Sequence, residues 1–209
     1  GKKEGLPLRD LLEKILPVLE EGYSVRTLSF NEEESKLLKG FQLLTIKPVL
    51  YVANVGENGF LNNPHLDAVV NFANSEKSEA IAICADIEAE ITELDEKEKY
   101  DFLQEMGQNE SGLDRLIKAG YKLLGLQTYF TAGIQEVRAW TINVGDSAPQ
   151  AAGKIHGDFE KGFIRAETIA FHDYVDNMGE KGSKEAGKLR SEGKEYIVKD
   201  GDVMHFLFN

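Results

Sequence analysis

Cysteine is what this sequence has least of: a single residue, Cys84, among 209. One cysteine cannot close a bridge within the chain, which excludes the disulfide-built secreted scaffolds and suits a reducing compartment, so the expected localisation is cytoplasmic. Histidine is nearly as scarce. His65, His156, His172 and His205 are scattered, without metal-ligand spacing among themselves or with Cys84, and no zinc or other metal site is expected. Long apolar runs are missing as well: none approaches the ~20 residues a membrane-spanning helix needs, and nothing reads as a signal peptide. A soluble chain with no membrane partner is expected. Positive charge is in deficit, with 24 Lys and Arg against 36 Asp and Glu and a net charge of −12. Generic adhesion to nucleic-acid phosphates would be weak and salt-sensitive, and no DNA specificity is expected.

That deficit is unevenly spread. Between Asn31 and Glu110 acidic residues outnumber basic ones by about eleven, whereas from Gln150 to Asp200 the two nearly balance. Any nucleic-acid contact therefore belongs to the C-terminal part. The length, with 42% hydrophobic residues, suffices for ordinary cores and suggests two domains.

The stretch Pro48 to Glu57 organises the first part of the chain. Its unbroken apolar run, bounded by Pro48 and a Gly/Asn turn, reads as a strand buried on both faces of a parallel sheet. In open α/β sheets ligands sit beyond the carboxyl ends of the strands, where this run places Asn54 and, three residues on, Glu57. An amide offers donors and an acceptor while a carboxylate only accepts, so the pair can read the edge of a nucleotide base. The alternative is a polar strand-to-loop turn in which Asn54 bonds its own backbone.

Around this strand, Leu8, Leu11, Leu12, Ile15 and Leu19 predict an amphipathic helix to about Glu20, kinked or ended by Pro17. Asn31 and the following glutamates predict a short capped helix stopping at Gly40. Asn63-Pro64 opens a helix with Leu66, Val69, Val70 and Ala73 inward, and Ala80 to Cys84 follows as a parallel strand. Its end, Cys84-Ala85-Asp86, should lie near Asn54. The acidic run from Asp86 to Glu96 reads as a solvated face, followed by helices over Asp95–Met106 and Ser111–Leu124.

From Leu126 the texture turns to aromatic and β-branched runs, and a second domain is expected. Leu126–Thr131 and Val137–Val144 read as a hairpin, Pro149–Arg165 as mixed helix, and Ile169–Val175 as β-rich. Asn177–Lys194 reads as a mobile loop or short helix, and Tyr196–Val198 with Val203–Phe208 as a closing hairpin. Four or five strands around one helix make a small α+β roll.

Several of these segments match a known family. Thr128-Tyr-Phe-Thr-Ala-Gly, Glu136-Val-Arg-Ala-Trp-Thr-Ile, the long run from Ala148 to Glu167, Glu192 to Val203 and the ending Phe206-Leu-Phe-Asn resemble the Obg-related ATPases of the YchF kind. The resemblance implies three parts: residues 1–40 as the remnant of a helical insertion, 41–125 as the C-terminal part of a P-loop-type parallel α/β nucleotide domain, and 126–209 as a TGS domain of β-grasp fold. The family's Gly-rich phosphate loop, G-x-x-x-x-G-K-[ST], is absent here, so the chain looks like the C-terminal part of a longer protein and should not hydrolyse nucleotide alone. No catalytic residue is assigned within it.

The resemblance further implies that Asn54-Val55-Gly56-Glu57 is the family's base-reading Asn-x-x-Glu motif, with Cys84 and Ala85 in the second loop flanking the base. It also implies a preference for ATP over GTP, with Mg²⁺ required by the longer protein and neither held tightly by this chain. For the C-terminal domain it implies contact with the ribosome or ribosomal RNA. Lys154, His156, Lys161, Arg165, Lys188, Arg190 and Lys194 are the candidates, with Lys181 and Lys184 beside them; the interleaved acids leave a solvated face as the alternative. A different class of function also stands: a stand-alone, non-enzymatic RNA- or ligand-binding regulatory module.

Overall fold

The computed structural model describes residues 6–209, which pack as two compact units divided between Leu123 and Leu124. The first opens with α1 (Leu6–Glu20), whose Leu11 and Ile15 bury against Val25 and Leu38. Pro17 lies inside this helix and does not end it. Glu13, whose carbonyl loses its helical donor to the proline, is exposed, so water takes the donor's place. α2 (Glu32–Phe41) starts from a capping box: Asn31 Oδ1 accepts from Glu34 N–H at 2.9 Å, and the Glu34 carboxylate accepts from Asn31 N–H at 2.8 Å. Lys14 Nζ donates to the same carboxylate at 3.0 Å and ties α1 to α2.

β1 (Leu50–Asn54) and β2 (Glu79–Ile83) run parallel in register Leu50↔Glu79 to Asn54↔Ile83, joined through α3 (Pro64–Ser75). The α3 start is fixed by Asn63, whose side chain accepts from the His65 and Leu66 amides. The expectation that β1 is buried on both faces is corrected here. Its sheet has two strands among the described residues, so one edge and part of a face stay open and Val52 is 43% exposed.

The acidic run, expected as a solvated face, folds into a helix, α4 (Ala85–Glu93). Ile87 and Ile91, one turn apart, bury with Cys84 and Leu103 while Asp86, Glu90 and Glu93 are exposed. The dense carboxylates hide a two-residue apolar stripe. α5 (Glu96–Glu105), boxed by Asp95 and Glu98, and α6 (Gly112–Leu124) complete the unit.

The second unit is α+β. Its strands β3 (Leu126–Ala132), β4 (Val137–Asn143), β5 (Phe163–Ala170), β6 (Arg190–Glu192) and β7 (Asp202–Phe208) form one sheet in the order β4-β3-β7-β5-β6. β3 and β7 are parallel and the other pairs antiparallel. α7 (Ala148–Ile155) and α8 (Gly157–Lys161) pack on the core formed by Tyr129, Ile142, Phe163 and Phe206, while α9 (Phe171–Asp176) and α10 (Glu180–Glu185) fill the connection to β6. Ala148, Ala151 and Ala152 let α7 approach closely, and Tyr129 Oη donates to the Ala151 carbonyl at 2.9 Å. Burial pushes the Tyr129 hydroxyl's pKa well up.

Three boundaries differ from expectation. Phe163 and Arg165 belong to a strand, because Ala166, Thr168 and Ile169 extend the buried run that Phe163 begins. Phe171 to Asp176 is helical instead of extended. No closing hairpin forms: Ile197 makes one isolated bridge to Ser147, and β7 inserts centrally between β3 and β5. A strand flanked on both sides explains why Val203, Met204 and Phe206 are all buried.

Candidate functional site

The parallel register places the carboxyl ends of β1 and β2 side by side, Asn54 opposite Ile83. Val55 N–H continues the ladder, donating to Ile83 C=O at 2.8 Å. Asn54 then reaches across. Its Oδ1 accepts from the Ala85 N–H at 3.1 Å, at the first residue of α4, so one side chain bridges the ends of both strands. The acceptor bonds the neighbouring loop and not its own backbone. Asn54 is exposed, and its amide nitrogen retains two donors. Glu57, also exposed, lies three residues on, inside a tight turn in which Gly59 N–H donates to Gly56 C=O at 2.7 Å.

The remaining residues of the two loops are committed elsewhere. Val55 is buried with its amide spent on the ladder, and Cys84 is 1% exposed within the α4–α5 cluster. Ala85 is exposed but its N–H serves Asn54. The outward chemistry is therefore Asn54 Nδ2 donors and Glu57 acceptors. A larger cleft of about 840 Å³ lies at the amino ends of the same strands, lined by Pro48, Val49, Ser78 and Glu79. Asn54 and Glu57 do not line it, and ligands of open α/β sheets bind at the opposite, carboxyl ends.

Two long-range carboxylate links of this unit carry no local sequence signal. Behind β1, Glu76 at the end of α3 accepts from Tyr51 Oη at 2.5 Å, Ser24 Oγ at 2.7 Å and Arg26 Nη2 at 3.1 Å. Tyr51, Ser24 and Arg26 together hold the Glu76 pKa down at about 2, the tyrosine contributing most. These partners come from 25 to 52 residues away, beyond any motif. The second link is Glu88. Its carboxylate accepts from the Gly112 and Leu113 amides at 2.7 and 3.0 Å and caps α6. A Cβ at Gly112 would stand 2.6 Å from Glu88 Oε1, so a larger residue there would displace the carboxylate from its present position. Among the described residues no group of three or more His, Cys, Asp or Glu could hold a metal ion. Among the described residues no helix is long and apolar enough to cross a membrane.

The basic candidates of the second unit divide by their partners. Lys154, Lys161 and Lys194 are exposed on α7, on α8 and after β6. His156 caps α8, its Nδ1 accepting from Asp158 N–H at 3.3 Å. Arg165 faces Glu167 at 3.4 Å and Lys188 pairs with Asp173 at 3.1 Å. Arg190 is drawn inward: it donates to Glu192 at 3.0 Å and Tyr196 Oη at 3.1 Å beside the buried Asp202. Tyr196 in turn donates to Asp202 at 2.7 Å; burial first, then that carboxylate, raises its pKa. Arg190 is structural in this arrangement.

Comparison with known proteins bears on the whole chain. The family model YchF-GTPase_C, described as "Protein of unknown function (DUF933)", matches residues 126–209. The "Ribosome-binding ATPase YchF" of Escherichia coli O157:H7 is 58% identical over all 209 residues, which span 58% of that protein. Its Bacillus subtilis (strain 168) namesake is 54% identical over 203 residues, 96% of this chain and 56% of that protein. The structure of the Schizosaccharomyces pombe YchF GTPase superposes with a TM-score of 0.83 at 34% identity, covering 98% of this chain and 55% of that one. The chain thus spans a little over half the length of these relatives, and with such identity along all of its own length it belongs to the YchF family.

Proposed function

We propose that this chain is the base-reading and ribosome-docking part of a cytoplasmic nucleotide hydrolase that prefers ATP to GTP. The observation that carries the reading is the Asn54 bridge. It fixes an exposed amide at the switch from strand to loop, with two donors left for a purine ring nitrogen, and Glu57, exposed three residues on, supplies a carboxylate to accept from an exocyclic amine. Adenine presents that amine next to a ring acceptor. Phosphates, their Mg²⁺ and the attacking water would be positioned by a phosphate loop outside these 209 residues, so the chain alone reads the base without performing the hydrolysis. Residues 126–209 act as a TGS domain of β-grasp type, and the relatives' name, ribosome-binding ATPase, supports docking on ribosomal RNA or protein. Lys154, Lys161, Lys181, Lys184 and Lys194 are the phosphate-reaching candidates, since they are exposed and carry no ion pair among the described residues.

The test is an NMR titration of the chain with Mg·ATP and Mg·GTP at one salt concentration. The expected result is a dissociation constant of about a millimolar, because the base contacts remain without the phosphate cradle, with shifts confined to Asn54–Glu57 and Ala85 and larger for ATP. Shifts elsewhere, or equal response to GTP, would overturn the base assignment. Micromolar affinity would overturn the view that the phosphate cradle lies outside this chain.

A further inference from the structure

Given the base reading proposed above, we infer that Asn63 is a positioning residue for its loop: beyond capping α3, the Asn63 amide nitrogen holds the turn on which Glu57 stands. Glu57 hangs between two anchors. Upstream, Val55 N–H is fixed on the Ile83 carbonyl of β2. Downstream, Gly59 closes the turn with its N–H on Gly56 C=O, and its own carbonyl accepts from Asn63 Nδ2 at 2.9 Å. Glu57 and Asn58 are exposed, so the turn between the anchors takes its orientation from them. Of the two, the Asn63 bond is the one made by a side chain, and it can be removed without touching the strand ladder.

Capping does not account for the amide. The cap is the work of Oδ1, which accepts from the His65 and Leu66 N–H groups at 3.1 and 3.3 Å. Aspartate or serine in this place would supply that acceptor equally well, and aspartate would also suit the helix dipole. What asparagine adds is an NH2 group on the same planar carboxamide. Two backbone donors aimed at one end fix that end as oxygen, so the other end faces the Gly59 carbonyl as nitrogen. One side chain thereby ties the start of α3 to the exit of the turn. Phe60, the next residue after Gly59, packs against the cluster of Cys84, Ile87, Ile91 and Leu103 and keeps the loop as a whole in place. Asn63 fixes the rotation of the Gly59–Phe60 peptide and, through the turn, the direction in which Glu57 leaves the backbone.

The experiment compares the 209-residue chain with Asn63→Asp and Asn63→Ser by NMR. Both variants keep a cap acceptor and lose the amide donor; the first adds a charge, the second is neutral and one bond shorter. In the native chain a scalar coupling across the hydrogen bond should link Asn63 Nδ2 to the Gly59 carbonyl. Without nucleotide, the Leu66 amide should stay protected in both variants while the Glu57, Asn58 and Gly59 amides gain fast motion. On titration with Mg·ATP and Mg·GTP, both variants should lose roughly fivefold in ATP affinity, the worth of one hydrogen bond, with GTP little changed. Variants that bind ATP as the native chain does would overturn the inference and leave the base reading standing. So would a loss confined to Asn63→Asp, which is repulsion between its charge and the phosphates. Leu66 protection lost in step with ATP binding would reduce Asn63 to a cap. A native chain with no ATP response at Asn54–Glu57 sinks the base reading itself, and the role of Asn63 with it.

Discussion

The two units reach stability by different routes. Residues 124–209 fold around one continuous core in which a central strand is flanked on both sides, and buried aromatics meet edge to face, Tyr129 against Phe206 and Phe206 against Phe163. Residues before Leu124 have two small clusters of four fully buried residues each and a two-stranded parallel sheet with an open side. Polar side chains do much of the joining there: Glu76 behind β1, Glu88 at α6, Asn54 across the strand ends. Carboxylates and amides that close long sequence separations leave backbone amides aimed at chosen points, and the candidate base site sits where such links end. The packed unit presents a surface; the linked unit presents a constellation.

The sharpest way to separate the routes is to attack each by its own chemistry. Phe206→Ala removes a ring that touches Tyr129 and Phe163 at the core of the second unit, and should cost about 3–5 kcal/mol. Trp140, the only tryptophan, packs against that core and reports its denaturant transition directly. A shift smaller than about 1 kcal/mol would show that the sheet does not depend on this cluster.

Glu76→Gln tests the linked unit. The replacement keeps the shape but removes the charge that Arg26, Tyr51 and Ser24 serve, and about 2 kcal/mol should be lost. The pH dependence has a definite sign. Because the folded pKa is depressed to about 2, the unfolded state binds the proton more readily. The stabilisation is complete above the ordinary carboxylate range and fades as pH falls from about 5 toward 2. Amide exchange across β1, measured at pH 6 and pH 3, should show this acid limb in the native chain and lose it in the variant.

Much of this contrast was legible beforehand, for reasons that are physical. Caps and turns are local, so Asn31, Asn63 and Asp95 announced their helices, and the aromatic and β-branched runs announced β3 and β4. Asn54 and Ala85 came together as the strand-helix-strand order required. What the sequence hid was either diluted or distant. Six acids from Asp86 to Glu96 obscured the Ile87–Ile91 stripe, and the central position of β7 depends on pairing with strands about 36 and 73 residues away, which no short pattern encodes. Arg190 stood among the phosphate candidates because basic residues recur through its segment; only folding brings Tyr196 and Asp202 to it.

Glu88→Ala is a smaller perturbation of the linked unit. Two amides at the start of α6 lose a charged acceptor, a cap worth about 1 kcal/mol. Exchange at Gly112 and Leu113 should accelerate, with little change in the overall transition.

The smallest stability effect should belong to Asn54, and that smallness is informative. Asn54→Ala removes one exposed hydrogen bond, to Ala85 N–H, at a cost of about 0.5 kcal/mol. The freed amide is at an exposed helix start and water can satisfy it, so global unfolding should barely move. Locally, exchange at Ala85 should quicken while Val55, bonded to Ile83, holds. A side chain that contributes so little to stability yet spans two strand ends is placed for what it presents outward. If the variant instead destabilised the unit by 2 kcal/mol or more, Asn54 would be a structural clamp, and the donors assigned to base reading would be incidental to it.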